Sequence, residues 1–334
     1  MQITGPRPKP ATLEDIAKIA GVHRRTVRDA LQGTGRVAPA TRENVRRIAR
    51  ELQYVPNLVA RALATGKTGR VSVLCGSLSE PFNVNAVQHL ADFLNQHGYE
   101  AMIIQGHPNK PTSQSLRSSL SDGIIIVGNQ LVDEGALTGD TILPWVLIDA
   151  GRPATMDHIT LDLSHAVSET IRLMIASGRQ RIAYINKHTM DPNSREVRYR
   201  NYIDLMHASG LETEMIIASE VLTAQERIDE LKEYFQQRGV PGAIFCHNDE
   251  IAVVTYRALR DLGYEVPGDV LLCGCDGVEY INYFDTPLST IAIPWEEVGE
   301  MACQFLKQRI EAPEMPVQEH TVIGKLVARK SLMA

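Results

Sequence analysis

Apolar positions recur at helical spacing in the first fifth of the chain and gather into short continuous runs thereafter. Leu13, Ile16, Ala17 and Ala20 make one face of a first helix, opened by Thr12 as N-cap with Asp15 three residues on, and closed by Gly21, which can take a positive φ. Val27, Ala30 and Leu31 predict a second helix from about Arg24 to Leu31. Val45, Ile48, Ala49 and Leu52 predict a third, from Pro39 to about Gln53. The small Ala17, then Gly21, then Val27 let the first two helices cross closely through a short turn, the arrangement in which a second helix enters the DNA major groove. A plain helical hairpin fits the same spacing. The second helix argues for DNA because its outer face carries Arg24, Arg25, Thr26, Arg28 and Asp29. Arginine pairs bidentately with guanine O6 and N7, and aspartate accepts from cytosine N4.

Beyond Gly69 the pattern changes. VSVLC (71–75), EAMIIQ (100–105), GIIIVG (123–128) and PWVLID (144–149) read as buried parallel strands divided by helical stretches such as 83–97. RIAYIN (181–186), EMIIAS (214–219), GAIFCH (242–247) and DVLLCGCD (269–276) repeat the theme. Apolar runs alternating with amphipathic helices predict doubly wound α/β units, and two sets predict two lobes. Ligands bind beyond the carboxyl ends of such strands, which singles out Asp149, Asn248 with Asp249, and Asp276. Asp249 is also placed to cap the helix that follows.

Charge sharpens the division. Residues 1–70 hold 14 Lys and Arg against 5 Asp and Glu, leaving 20 against 35 for residues 71–334. A basic module on an acidic body predicts a polyanionic partner for the module alone. The arginines after the second helix (Arg36, Arg42, Arg46, Arg47 and Arg50) are less specific, and a solvated face explains some of them. Residues 1–11, with three prolines and no periodicity, read as a disordered arm. No apolar run approaches the roughly 18 residues of a membrane span, and MQITGPRPKPA has no signal-peptide core, so a cytoplasmic protein is expected. The five cysteines are expected as buried thiols; Cys273-Gly-Cys275 has no zinc spacing, and no metal or cofactor is expected. Neither a dinucleotide fingerprint, a P-loop nor a G-x-S-x-G elbow accompanies the strands.

TLEDIAKIAGVHRRTVRDALQ, followed by VAPATRENVRRIARELQYVPNLVARALATGKT, resembles the N-terminal signature of the LacI family of bacterial transcriptional regulators, and the likeness continues through the chain. The resemblance implies a helix-turn-helix domain (12–56), a hinge helix and linker (57–66), and a two-lobed periplasmic-binding-protein-like core (67–334). One lobe would take about 70–163 plus 294–318, the other about 164–293 plus 319–330. It further implies base reading by Arg24 and Arg25, beside which Arg28 and Asp29 offer their own donor and acceptor pattern. Backbone contacts fall to Thr12, His23, Thr26, Arg36, Tyr54 and Asn57, and a minor-groove wedge to Leu63 with Ala60 in the hinge. Asp149, Arg198, Asn248 and Asp276 match the family's effector pocket, with Phe82 and Trp295 near lining positions, where core packing is an equal alternative.

The chain also departs from the family pattern. His23 and Ala38 stand where serine caps are usual, Arg28-Asp29 replaces Ser-Arg, Asn201-Tyr202 replaces Gly-Phe, and Gly277 replaces a second aspartate. Operator preference and pocket shape are therefore this chain's own. No heptad-bearing tail follows KLVARKS up to Ala334, so a homodimer on a palindromic operator is expected, with a sugar, sugar acid, sugar phosphate or nucleobase as effector. A periplasmic-type sugar-binding protein and a cytoplasmic enzyme on the same fold are the competing classes. The basic helix-turn-helix argues against the first, and an assay for turnover separates the second.

Overall fold

The structure is a computed structural model that describes residues 11–55, 66–106, 120–128, 143–149, 155–191, 194, 196–219 and 221–333. The chain forms two compact units, Met1–Thr68 and Gly69–Ala334.

The first unit holds α1 (Leu13–Ala20), α2 (Arg24–Gln32) and α3 (Pro39–Glu51). Ile16, Val27, Ala30 and Val45 are fully buried, and Ile48, Ala17 and Ala49 nearly so, making the small core that the periodicity predicts. Thr12 and Asp15 form a reciprocal capping box: the hydroxyl accepts from Asp15 N (3.3 Å), while the Asp15 carboxylate accepts from Thr12 N (2.9 Å) and from the hydroxyl (2.7 Å). The third helix is shorter than expected. It ends at Glu51, because Gln53 turns left-handed (φ 49) and Tyr54 N donates to Ala49 O at 2.9 Å, a terminating hydrogen bond that a continuing helix cannot make.

The second unit contains a six-stranded and a four-stranded sheet, each wholly parallel. The first sheet is ordered β11-β5-β4-β3-β1-β2, with β1 Arg70–Cys75, β2 Glu100–Gln105, β3 Gly123–Val127, β4 Trp145–Ile148, β5 Asp157–Asp162 and β11 Glu319–Ile323. Packed on one face are α4 (Pro81–Gln96) and α9 (Trp295–Glu311), which also pack on each other. Its other face carries Leu74, Ile124, Ile126, Trp145 and Leu147. The second sheet is ordered β7-β6-β8-β9, with β6 Ile182–Asn186, β7 Glu214–Ile217, β8 Ala243–Cys246 and β9 Leu271–Cys273. Helices α5 (Ser164–Ala176), α6 (Val197–Ala208), α7 (Ala224–Arg238) and α8 (Asp249–Asp261) accompany it. A short antiparallel pair, β10 (Thr290–Ala292) with β12 (Lys325–Val327), lies where the chain passes between the lobes.

One expected boundary is corrected. Residues 319–323, assigned by sequence to the second lobe, pair with β5 in the first lobe's sheet, in the register Leu161↔Val322. Only after Gly324 does the chain return, and Ser331 then donates to Leu272 O at 2.6 Å in the second lobe. The clasp that holds β11 is Asp157, whose side chain is 1% exposed. Arg309 on α9 grips both carboxylate oxygens (2.6 and 2.9 Å), and Gln318 adds its backbone and side-chain N–H (2.8 and 3.1 Å). Burial would raise the Asp157 pKa, but these donors outweigh it and hold the group below its ordinary value. Replacing Arg309 by Met strands a buried carboxylate, and a loss of about 3–5 kcal/mol is expected in urea unfolding of the full chain. The loss should shrink as pH falls through the native pKa and the carboxylate is neutralised.

Candidate functional site

The second helix presents Arg24, Arg25 and Arg28 to solvent, with Thr26 half-buried, and Arg36 is exposed in the following turn. His23 restores the cap that the usual serine would supply: its Nδ1 accepts from Arg25 N at 3.2 Å. Ala38 makes no such bond, and the helix after it begins instead with Pro39, whose missing N–H needs no partner. Asp29 does not reach outward with the arginines. Its side chain, 21% exposed, lies between Arg25 Nε (3.9 Å) and Arg28 Nε (3.7 Å). It also packs against Gly35, where a Cβ would stand 2.9 Å from Oδ2. On the third helix, Arg47 and Arg50 are tied to Glu51 (2.6 Å) and Glu43 (3.5 Å), which accounts for part of the basic run as a solvated face. Tyr54 packs on the headpiece core, and burial raises its pKa. Thr12 is engaged in its capping box. Asn57, Ala60 and Leu63 lie outside the described residues.

In the second unit, Asp149, Asn248 and Asp276 stand just past the carboxyl ends of β4, β8 and β9. Asp149 follows β4 with φ 58, and Asp276 follows β9 with φ 125, so two of the three described non-glycine residues with positive φ are candidate ligand groups. Among the described residues no hydrogen-bond donor reaches either carboxylate. Desolvation pushes Asp149 up to about 6, with Arg198 opposing and Glu196 adding. Asp276 is driven well above the carboxylate range by burial and by the neighbouring Asp249, against Arg198 and Lys187. Arg198 Nε pairs with Glu196 (2.6 Å), and Nη1 donates to His247 O (3.0 Å) and contacts Cys275 Sγ (3.9 Å). That leaves Nη2 uncommitted among the described residues. His247 is held neutral by burial and by the adjacent cations, and shares a 2.7 Å hydrogen bond with the Tyr184 hydroxyl.

The helix cap expected of Asp249 belongs to Asn248, whose Oδ1 accepts from Ile251 N at 2.9 Å, leaving only its amide NH2 for a ligand. Asp249 instead is fully buried and accepts from Val278 N (2.8 Å), with burial pushing it up to about 6. Phe82 and Trp295 meet edge to face (centroids 5.5 Å, 61°). Trp295 is 2% exposed, and its indole N–H has no acceptor among the described residues. The substitutions at 201, 202 and 277 serve packing. Asn201 ties α6 to Ser164 O (2.8 Å), the Tyr202 hydroxyl donates to Ile182 O (2.8 Å), and a Cβ at Gly277 would stand 2.8 Å from the Ala292 Cα.

Lys187 and Glu80 were passed over in the sequence. Lys187 lies just past β6, so the strand-end rule that selects Asp149 selects it too; its ammonium meets Glu250 (2.9 Å) and Glu80 (3.3 Å). Tyr280 joins the same electrostatic neighbourhood, its pKa raised by burial and by Asp249, Glu250 and Asp276. A cavity of about 390 Å³ lies elsewhere, by Trp145 and Asp157 at the opposite strand ends, and brings none of these groups together. No metal-binding cluster occurs among the described residues, and no helix there is long and apolar enough to cross a membrane.

Residues 12–57 match the bacterial regulatory proteins of the lacI family, and residues 171–332 the periplasmic binding protein-like domain. The HTH-type transcriptional repressor PurR of Photobacterium profundum is 26% identical over 333 residues, spanning 96% of this chain and 98% of that protein. The ribose operon repressor of Haemophilus influenzae is 27% identical over 329 residues, spanning 96% and 98%. Among solved structures, the lac repressor dimer bound to operator and the anti-inducer ONPF is similar with a TM-score of 0.80 at 22% identity, covering 98% of this chain and 100% of that one. A LacI family transcriptional regulator from Enterococcus faecium with bound ribose has a TM-score of 0.68 at 19% identity, covering 78% and 98%. With a helix-turn-helix whose outer face is arginine-rich, followed in sequence by a two-lobed parallel α/β core, this chain belongs to the lacI family of bacterial regulatory proteins.

Proposed function

We propose that this DNA-binding regulator of transcription acts in the cytoplasm as a repressor, reading a palindromic operator as a homodimer, with its affinity set by a neutral, hydroxyl-rich small molecule between the two lobes. The observation that carries the reading is one chain holding both an arginine-faced recognition helix and a cleft whose two aspartates receive no donor from the described residues. Arg24, Arg25 and Arg28 read base edges, Asp29 steadies the latter two, and His23, Thr26, Arg36 and Tyr54 face the phosphates. The segment holding Asn57, Ala60 and Leu63 is the hinge. The named relatives are repressors, so the cleft is read as a sensor.

The ligand class follows from the charges. Lys187 is paired with Glu80 and Glu250, Arg227 with Glu250, and Arg198 with Glu196. Asp149 is left as an acceptor for hydroxyl groups and Asp276, which burial drives toward its protonated form, as acceptor or donor, while the Arg198 Nη2 and the Asn248 amide add donors. A sugar meets that pattern. A sugar acid or sugar phosphate would set its own anion beside Glu80, Glu196 and Glu250, where the described cations Lys187, Arg198 and Arg227 are each already ion-paired, at a desolvation cost. Ligand-linked lobe closure would then bias the hinge, with a coupling of about 1–3 kcal/mol.

Selection of operators from a randomised library with the full chain should return a palindrome, and Arg25→Ala or Arg28→Ala should weaken binding to it by about 1–3 kcal/mol each. An equal loss on unrelated duplexes would reduce these arginines to phosphate contacts. A thermal-shift screen should find neutral sugars raising the Tm more than their acids or phosphates, with any hit changing operator affinity in titration. A better shift from the acid forms, or a hit that leaves operator affinity unchanged, would defeat the effector reading. Because the Asp149 pKa is raised above its ordinary value, its ionisation costs the native state stability as pH rises through about 6. Asp149→Asn, which tolerates the left-handed backbone, should therefore melt above the parent at pH 7.5, with the gap closing toward pH 4.

A further inference from the structure

Four charged side chains alternate in sign across the cleft. Glu250 near the start of α8 accepts from Arg227 on α7 (Oε1, 2.7 Å) and from Lys187 (Oε2, 2.9 Å). Lys187 in turn reaches Glu80 Oε1 at 3.3 Å. Three of the four belong to the second lobe, and the side chains of Lys187 and Arg227 are each only 8% exposed. The backbone beneath Lys187 is fixed as well: its N–H donates to Asn186 Oδ1 (2.8 Å), and Asn186 Nδ2 donates to His188 O (3.1 Å). Two cations and one carboxylate leave this cluster one positive charge in excess. The balancing anion comes from the other lobe, from the residue just before α4.

Glu80 is the replaceable member of the set. Its contact is the longest of the three, its side chain is 40% exposed, and it makes no capping bond to its own helix. Lys187 stands immediately past the carboxyl end of β6, where ligands bind in such sheets. An ammonium so placed is a ready partner for a phosphate or carboxylate. Here that valence is filled from within.

Accepting the cleft as the effector site, we propose that Glu80 determines its specificity: the carboxylate acts as an internal anion that occupies Lys187 and bars anionic ligands. The barrier is electrostatic and local. Removing the Glu80 charge leaves Lys187 with Glu250 alone and returns the net positive charge to the open cleft. Since Glu80 is delivered by the first lobe, an anion that displaced it would also release a contact between the lobes.

The test uses the full-length chain with glucose, gluconate, glucose 6-phosphate and inorganic phosphate as probes in calorimetric titration. Glu80→Gln should bind at least one of the three anions at least about tenfold more tightly than the parent does, the scale of one charge-assisted hydrogen bond. The gain should vanish in the Glu80→Gln, Lys187→Met double variant and appear to no comparable degree for glucose. The parent binding an anion as tightly as Glu80→Gln does, or a gain that survives loss of Lys187, would overturn the assignment. So would Glu80→Gln gaining no anion affinity while keeping its melting temperature. Failure of the effector reading itself shows separately, as a parent chain that answers to no neutral sugar in the thermal-shift screen.

Discussion

A single buried carboxylate shapes the second lobe's side of the cleft. Asp249 opens α8 with no exposed surface; its N–H donates to Cys275 O (2.7 Å), and its Oδ2 accepts from Val278 N (2.8 Å). The stretch from Gly274 to Val278 is thus moulded around it. A Cβ at Gly274 would fall 2.2 Å from Asp249 Oδ1, so only glycine allows the approach. Within that turn stands Asp276, at a φ that side chains rarely adopt. Burying one aspartate to present another is costly, since both are desolvated and among the described residues neither has a cation at contact distance. A cost of this kind persists where the local structure over-determines it, and it clusters at binding sites.

The arrangement divides labour between the lobes. The second lobe carries the rigid polar apparatus: Arg198 braced by Glu196 and His247 O, Asn248 locked as a cap, Lys187 seated on Asn186. From the first lobe come Asp149, at the end of a short strand, and Glu80, at the start of a helix. Three chain passages connect them: β5 into α5, β10 into α9 and β11 into β12. Side chains held by backbone in one lobe and by reach in the other suit a cleft whose width sets its chemistry.

Much of this was legible from residue order. The three headpiece helices and their core emerged from 3.6-residue spacing, and eight strands from apolar runs, six of them strands whose burial on both faces leaves a continuous signal and two, β2 and β7, less buried at sheet edges. The strands β5 (DHITLD) and β11 (EHTVI) escaped notice: they lie toward the sheet's edge, where polar and apolar positions mix. The assignment of β11 to the wrong lobe had the same origin, since a partner 161 residues away leaves no local trace, as the Asp157–Gln318 bond illustrates. Strand ends named Asp149, Asn248 and Asp276, but which of Asn248 and Asp249 would cap the helix depended on the distant turn that ends at Val278. Asp29 looked like a reader of bases from composition alone; only the left-handed Gly35 beside it shows why the carboxylate can fold back onto its own helix.

His23 carries a consequence for the recognition helix. A backbone N–H can only donate, so the imidazole Nδ1 that receives it must be the unprotonated nitrogen, and the ring's hydrogen resides on Nε2. Serine in the same place has one hydroxyl to serve both the helix and its surroundings. The imidazole separates the two duties onto opposite edges of the ring, acceptor toward the helix and donor away from it. The reading helix therefore starts with an N–H donor at Nε2 that its own cap does not consume, beside Arg24 and Arg25.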